Sequence, residues 1–206
     1  MSRPRIGLLH GGASYHLATL ADPVVTEHVT HPLYLPEQSA LDTLSTLDTV
    51  IVCDRLHPGL LREHAGTLRE VPERGGTLVV LGEVEAHTWL PGLRWSPRPT
   101  NFWWWRTGED PGIHTHAPDH PIWNHLNHED VIWHYHGLLH PPAGATVLAS
   151  ADDPAGAILY EDRASPGRLV VTTMDPVHHH GSNFMPAATR LLHGLLHWLA
   201  AETAAA

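Results

Sequence analysis

With 206 residues, 42% of them hydrophobic, the chain has material for one sizeable core and little for two, so a single domain over 1–206 is expected. A formal charge of -10, with only 12 scattered basic residues, argues against a nucleic-acid partner, which needs clustered Lys and Arg to neutralise phosphates. One cysteine excludes an internal disulfide framework and cysteine-rich zinc modules, and no apolar run approaches the ~20 residues that span a bilayer, so no membrane partner and a cytoplasmic location are expected.

In chain order, "RIGLLH" (5–10) reads as a buried strand, followed by a turn and helix in "GGASYHLATL". "VVTEHV" (24–29) reads as a second strand, "LDTLSTL" as a helix with leucines at 41, 44 and 47, and "TVIVC" (49–53) as a strand buried on both faces. Leu60, Leu61, His64, Leu68 and Val71 lie near one helical stripe, with Pro58 suited to its first turn and "RGG" to its stop. "TLVVLG" (77–82) is the next buried strand. Strands alternating with helices imply right-handed crossovers and a mainly parallel sheet covered on both sides, the flavodoxin-like three-layer α/β sandwich.

From Trp89 to His140 the rhythm breaks into Trp-, Pro- and His-rich sequence, which predicts an inserted strand and loop region around 89–140 with "DVIWHYHG" (130–137) as one strand. "TVLAS", "GAILYED" and "GRLVVTTM" read as later strands. From Met185 a helix carries Leu192, Leu195, Leu196 and Leu199 as its apolar stripe, capped by Ser182 or Asn183, with "AETAAA" as a frayed end.

Three stretches resemble the ThuA-like (trehalose-utilisation) family, within the superfamily of class I glutamine amidotransferase-like folds. They are "RGGTLVVLGE", the His-rich "HTHAPDHPIWNHL", and the closing unit "GAILYEDRASPGRLVVTTMDPVHHHGSNFMPAATRLLHGLLHWL". The resemblance implies a sandwich fold, homo-oligomers and a link to carbohydrate metabolism. It also implies a nucleophilic cysteine at a tight turn after a central strand, as amidotransferases have. Here that turn, "LGEVEAH", carries Glu83, so thiolate attack on glutamine lacks its agent and glutaminase activity is not expected.

Cys53 has two readings, a displaced nucleophile beside His57 or an inert buried thiol. The pairs His114/His116 and His134/His136 have the spacing that sets two imidazoles on one face of a strand. If those strands are neighbours, their nitrogens suit a divalent metal such as zinc; at this histidine content, roughly two such pairs arise by composition alone. "HGLLH" (193–197) has the helical spacing of zinc-protease histidines but lacks the glutamate that activates water, leaving two histidines at a solvent edge. In "NFWWWRTGED", taken as a strand, Trp103 and Trp105 face one side and Trp104 the other, serving the core, a contact between copies of the chain or a sugar platform.

In open parallel sheets ligands bind beyond the carboxyl ends of the strands. The groups expected there are His10, Gly11 and Gly12, Asp54, Glu83 with Glu85, and Asp175 with the loop His178, His179 and His180. Glu83 is the expected general base, with His179 and His180 as acid or electrostatic stabilisers. Ligand binding is assigned to His10, Gly11, Gly12, Asp54, Trp104, Asp175, His178 and Asn183, and metal ligation to His134 and His136. The expected partner is a small sugar-derived or other polar metabolite. A non-catalytic metal- or ligand-binding accessory protein is the alternative.

Overall fold

The computed structural model describes residues 3–100, 102–151 and 156–205. β1 (Ile6–His10) leads into α1 (Ser14–Leu20) and α2 (Pro23–His28), then β2 (Val29–Tyr34), α3 (Gln38–Leu44) and β3 (Thr49–Val52). α4 (Pro58–Glu63) and α5 (Ala65–Glu73) precede β4 (Thr77–Leu81). The next stretch holds β5 (Arg94–Ser96), α6 (Trp104–Thr107), β6 (Ile113–Thr115), β7 (Leu138–His140), β8 (Thr146–Ala151) and β9 (Ala157–Asp162). β10 (Arg168–Thr172), α7 (Pro176–Gly181) and α8 (Pro186–Ala205) close the chain.

The strands form one sheet whose first half, in the order β2-β1-β3-β4-β10, is parallel throughout. This is the 2-1-3-4-5 order of flavodoxin-like sheets, with β10 in the fifth place. Beyond β10 the sheet continues antiparallel through β9, which pairs with both β7 and β8. The insertion between β4 and β10 therefore extends farther than 89–140: it supplies β5 to β9, through Asp162.

β3 is buried at every position, and β4 at all but its first, because helices cover both faces. α1, α2, α7 and α8 pack as one group and α3, α4 and α5 as another. The apolar stripe of α8 is buried as expected through Leu192, Leu195, Leu196 and Leu199. Truncating one of these leucines to alanine removes about 2–5 kcal/mol of packing.

Several local expectations are overturned. "VVTEHV" is not a strand: Asp22 accepts hydrogen bonds from the Val24 and Val25 N–H groups (2.9 and 3.1 Å) and Pro23 sits in the first turn, so the capped segment coils as α2 and the strand begins at Val29. Residues 104–107 are helical rather than extended, and the Trp105 side chain and Asn101 lie outside the described residues. Segment 130–137 is irregular, tied to the sheet by the His136 N–H to the Thr173 carbonyl (3.1 Å). "PVHHHG" is the helix α7, not a loop, and α8 runs to Ala205 instead of fraying at 201.

Candidate functional site

Three adjacent strand ends build the site. After β3 come Asp54 and Arg55, after β4 Gly82 and Glu83, and after β10 the run Thr173, Met174, Asp175. Gly82 adopts φ +61, and a Cβ on it would lie 2.5 Å from the Asp54 Cβ and 2.9 Å from that of Asp175. Only glycine lets these three turns approach so closely.

Asp175 lies at the centre with its side chain fully buried. Its Oδ2 accepts from Arg55 Nε (3.0 Å) and Nη2 (2.6 Å). Its Oδ1 faces three imidazoles, with the Nε2 atoms of His179, His136 and His134 at 3.0, 3.2 and 3.5 Å. The Nε2 atoms of His134 and His179 also touch each other. Burial alone would raise the Asp175 carboxyl, but the rings of His134, His136 and His179 outweigh it and hold the group well below the usual carboxylate range. His134 is lowered, chiefly by burial, which favours the neutral ring with a lone pair on one nitrogen.

The three rings arrive by different routes. His134 and His136 keep the i, i+2 spacing that puts two side chains on one side of extended chain, although no strand forms there. His179 stands one helical turn beyond Asp175, the i, i+4 relation that stacks side chains along α7. Trp133 packs edge-on against His134 and His179, while the exposed rings of Phe102 and Phe184 lie against His134 and His179 from outside.

The donor set suits a divalent ion. His134, His136 and Asp175 each offer one ligand atom within 4.8 Å of the others. A tetrahedral ion with bonds of 2.0–2.1 Å needs ligand atoms about 3.3 Å apart, and Asp175 Oδ1 stands 3.2 and 3.5 Å from the Nε2 atoms of His136 and His134, with His179 Nε2 beside them. Asp175 Oδ1 and His136 Nε2 are both buried without a well-directed hydrogen bond. Lone pairs gathered in a dry pocket in this way are costly unless a cation shares them. Behind His136, Glu83 Oε1 lies 3.3 Å from its Nδ1, and Arg55 Nη2 lies 3.8 Å from Glu83 Oε2. A carboxylate on the far nitrogen of a ligating histidine fixes ring and tautomer.

Arg55, Glu83, Glu85, His87, Trp95 and His136 line a cleft of about 810 Å³ beside this cluster. Trp95 donates from Nε1 to the His136 carbonyl (2.9 Å) and stacks on His87.

The histidine triplet points three ways, because successive residues of a helix are about 100° apart. His178 packs on Tyr15, His179 enters the cluster, and His180 turns toward Asp22, Thr189 and His193. Glu83 and His179 thus share one centre, and His180 faces another. Asp54, fully buried, has its carboxylate committed to the Val177 and His178 N–H groups; burial and the nearby Asp175 push its carboxyl well up. Asn183 takes φ 58 and its N–H reaches the His180 carbonyl, closing the end of α7 as left-handed Asn residues do.

His10 accepts from the Gly12 N–H through Nδ1 and packs on Tyr34, and Gly11 donates to His16 Nδ1. These residues end β1 outside the lining of the Glu83 cleft. Trp104 lines a smaller hollow of about 170 Å³ shared with Trp133 and His134. The supposed convergence of His114/His116 with His134/His136 does not occur: β6 pairs with β8, and His116 bonds the Ser150 hydroxyl. Cys53 is fully buried with its thiol pushed well up by burial, which leaves the inert reading. Sequence reasoning missed Arg55, which looks like an ordinary loop cation, and the pairing of Asp175 with His179. The i, i+4 spacing in "DPVHHH" was the available signal.

No protein-family model matches the chain, and no curated protein matches it in sequence. Among solved structures it resembles a candidate GMP synthase component from Thermoplasma acidophilum, with TM-score 0.61, 10% identity, and 100% of this chain and 98% of that one covered. A cytoplasmic protein from Salmonella typhimurium gives TM-score 0.58 at 13% identity, covering 94% and 98% of the two chains. A candidate ThuA-like protein from Bacteroides uniformis gives 0.53 at 11%, covering 97% and 93%. At these identities the likeness is one of fold alone.

Proposed function

We propose that the chain is a ThuA-like, metal-dependent protein that binds and transforms a sugar-derived or other small polar metabolite, without glutaminase activity. The observation that carries this reading is the convergence of His134, His136, His179 and Asp175 beside the Glu83 cleft. A divalent ion held by His134, His136 and Asp175, with His179 beside them, would supply Lewis acidity toward a substrate oxygen. Arg55 neutralises the second Asp175 oxygen and so keeps the carboxylate turned toward the ion. Glu83, half-exposed at 49%, fixes His136 and presents a carboxylate able to take a proton from a hydroxyl or an activated C–H in the cleft. The cleft's size falls within the range of small-molecule sites, and Arg55, Glu83, Glu85 and His87 offer the hydrogen bonds a polyol needs.

A second reading, a metal-binding accessory protein without chemistry, is favoured by one specific observation. His179 Nε2 stands 3.0 Å from Asp175 Oδ1 beside the group of His134, His136 and Asp175, and as a fourth ligand it would saturate a tetrahedral ion; closed sites of that kind are structural as a rule. Cobalt substitution separates the two. A five- or six-coordinate visible spectrum that changes on adding polyols supports the metabolite site, and an unresponsive tetrahedral spectrum supports the accessory role. Metal binding itself is tested on chelator-stripped, untagged protein: His136→Gln and His179→Gln should each weaken zinc binding at least tenfold by calorimetry. Unchanged affinity in both variants would overturn the centre.

A further inference from the structure

The opposite side of α7 carries a separate constellation. Asp22, at the start of α2, places Oδ1 3.1 Å from His193 Nε2 on α8 and Oδ2 3.6 Å from His180 Nε2 on α7. The two imidazole rings lie 5.3 Å apart at 64°. One oxygen and two nitrogens therefore lie within 4.8 Å of one another, with the His180 side chain nine-tenths buried and His193 and Asp22 about one-fifth exposed.

We propose that Asp22, His180 and His193 form a second metal site, for Zn²⁺ or an ion of like preference, that ties α2, α7 and α8 together. The three side chains form an open set, closed by a hydrogen bond only between His193 and Asp22, with one ligand atom of each within 4.8 Å of the others. Asp22 Oδ1 is engaged by the Val24 and Val25 N–H groups and by His193 Nε2, whereas among the described residues no hydrogen bond reaches Oδ2, which faces His180 Nε2. His180 Nδ1 is held by the Thr189 hydroxyl at 3.0 Å, which orients the ring and directs Nε2 toward the gap. A histidine with its far nitrogen fixed in this way is a pre-set ligand. The 3.6 Å between Asp22 Oδ2 and His180 Nε2 lies near the ~3.3 Å between ligand atoms of a tetrahedral ion, one ligand atom of His193 stands within 4.8 Å of both, and the partial exposure of His193 and Asp22 leaves room for water as the fourth ligand. Two imidazoles and one carboxylate match zinc rather than magnesium or calcium, which take oxygen ligands.

The site is separate from the one at Asp175, although His179 and His180 are adjacent in the chain, because the ~100° turn between successive helical residues sends His179 to Asp175 and His180 to Asp22. Its filling would join a helix cap on α2, the short α7 and the long α8, the three elements whose packing sets where His179 stands.

The test is zinc stoichiometry on chelator-stripped, untagged protein, by elemental analysis after dialysis and by calorimetry, for the wild type, His193→Gln, Asp22→Asn and His136→Gln. His193 is a partly exposed residue on α8, so its substitution should spare the fold, which circular dichroism checks. The expected result is two equivalents in the wild type, with one lost in His193→Gln or Asp22→Asn and the other lost in His136→Gln. A single equivalent that disappears in His193→Gln and survives in His136→Gln supports this site while removing the Asp175 centre. A single equivalent lost only in His136→Gln, or two equivalents retained in His193→Gln, overturns it.

Discussion

Asp54 holds the backbone N–H of His178 across 124 positions of sequence, its carboxylate oxygens 3.1 and 3.2 Å from that nitrogen. The oxygen Oδ2 also takes the Val177 N–H at 2.8 Å, so one atom after β3 anchors the first turn of the helix that carries the histidine triplet. The position of His179 therefore depends on a residue that never touches it.

Asp54→Ala should cost about 2–4 kcal/mol in urea denaturation, since it leaves two buried N–H groups unpaired at a helix start. Asp54→Asn should cost less than about 1.5 kcal/mol, because one acceptor oxygen suffices for both donors. Equal losses in the two variants would show that the negative charge, not the acceptor, secures α7.

Glu83→Ala should weaken metal binding roughly tenfold to a hundredfold, measured by competition with a chelator of known affinity, because the His136 ring loses the carboxylate on its Nδ1. Glu83→Gln should fall between the wild type and Ala, since it keeps an acceptor oxygen without the charge. If Glu83 serves only as a base toward substrate, both variants will bind metal like the wild type and lose turnover alone.

His16 is buried, with Nδ1 accepting the Gly11 N–H and Nε2 near the Asp54 carbonyl, an arrangement that requires the neutral ring with its proton on Nε2. Burial lowers its proton affinity, partly offset by the bond to the Asp54 backbone. The unfolded chain takes up this proton near pH 6.5, and the folded chain only at lower pH. Its contribution to stability is thus fully present above about 6.5 and declines as pH falls below that value toward the folded pKa, by at most about 1.4 kcal/mol per unit. His16→Gln should flatten the pH dependence of the urea midpoint between pH 7 and 5. An unchanged slope would mean that other histidines account for all of it.

Cys53 should resist thiol reagents in native buffer and react at once in denaturant, given zero exposure and a thiol raised by burial. Glutamine-dependent ammonia release should be absent. Release that vanishes in Cys53→Ala would make Cys53 a nucleophile and overturn its inert reading.

The parallel half of the sheet was legible because "TVIV" and "TLVVL" are apolar throughout, the pattern of strands buried on both faces. The strand assigned to "VVTEHV" failed for a local reason: Asp22 and Pro23 form a helix start, and a β-branched pair cannot outweigh a satisfied cap. "DVIWHYHG" alternates like a strand, yet it lies over the ends of the sheet, where Trp133 and His136 are held by single backbone contacts. Of the candidate site, Glu83, Asp175 and His179 were expected together beyond the carboxyl ends of the strands, whereas His134 and His136 were named only as a separate metal pair. The arrival of that pair at Asp175 was not readable, because it depends on an irregular segment tied to Thr173 and on α7 being a helix that turns His179 toward the same oxygen.

The brevity of α7 has an evolutionary consequence. Its six residues run from the anchored turn after Asp175 to the left-handed Asn183, and two neighbouring side chains serve opposite sides of it. Losing or gaining a single codon between 176 and 180 would turn each later side chain by about 100°, taking His179 and His180 out of both constellations together. Relatives that keep either constellation should therefore vary in which residues occupy this stretch, but hardly ever in how many there are.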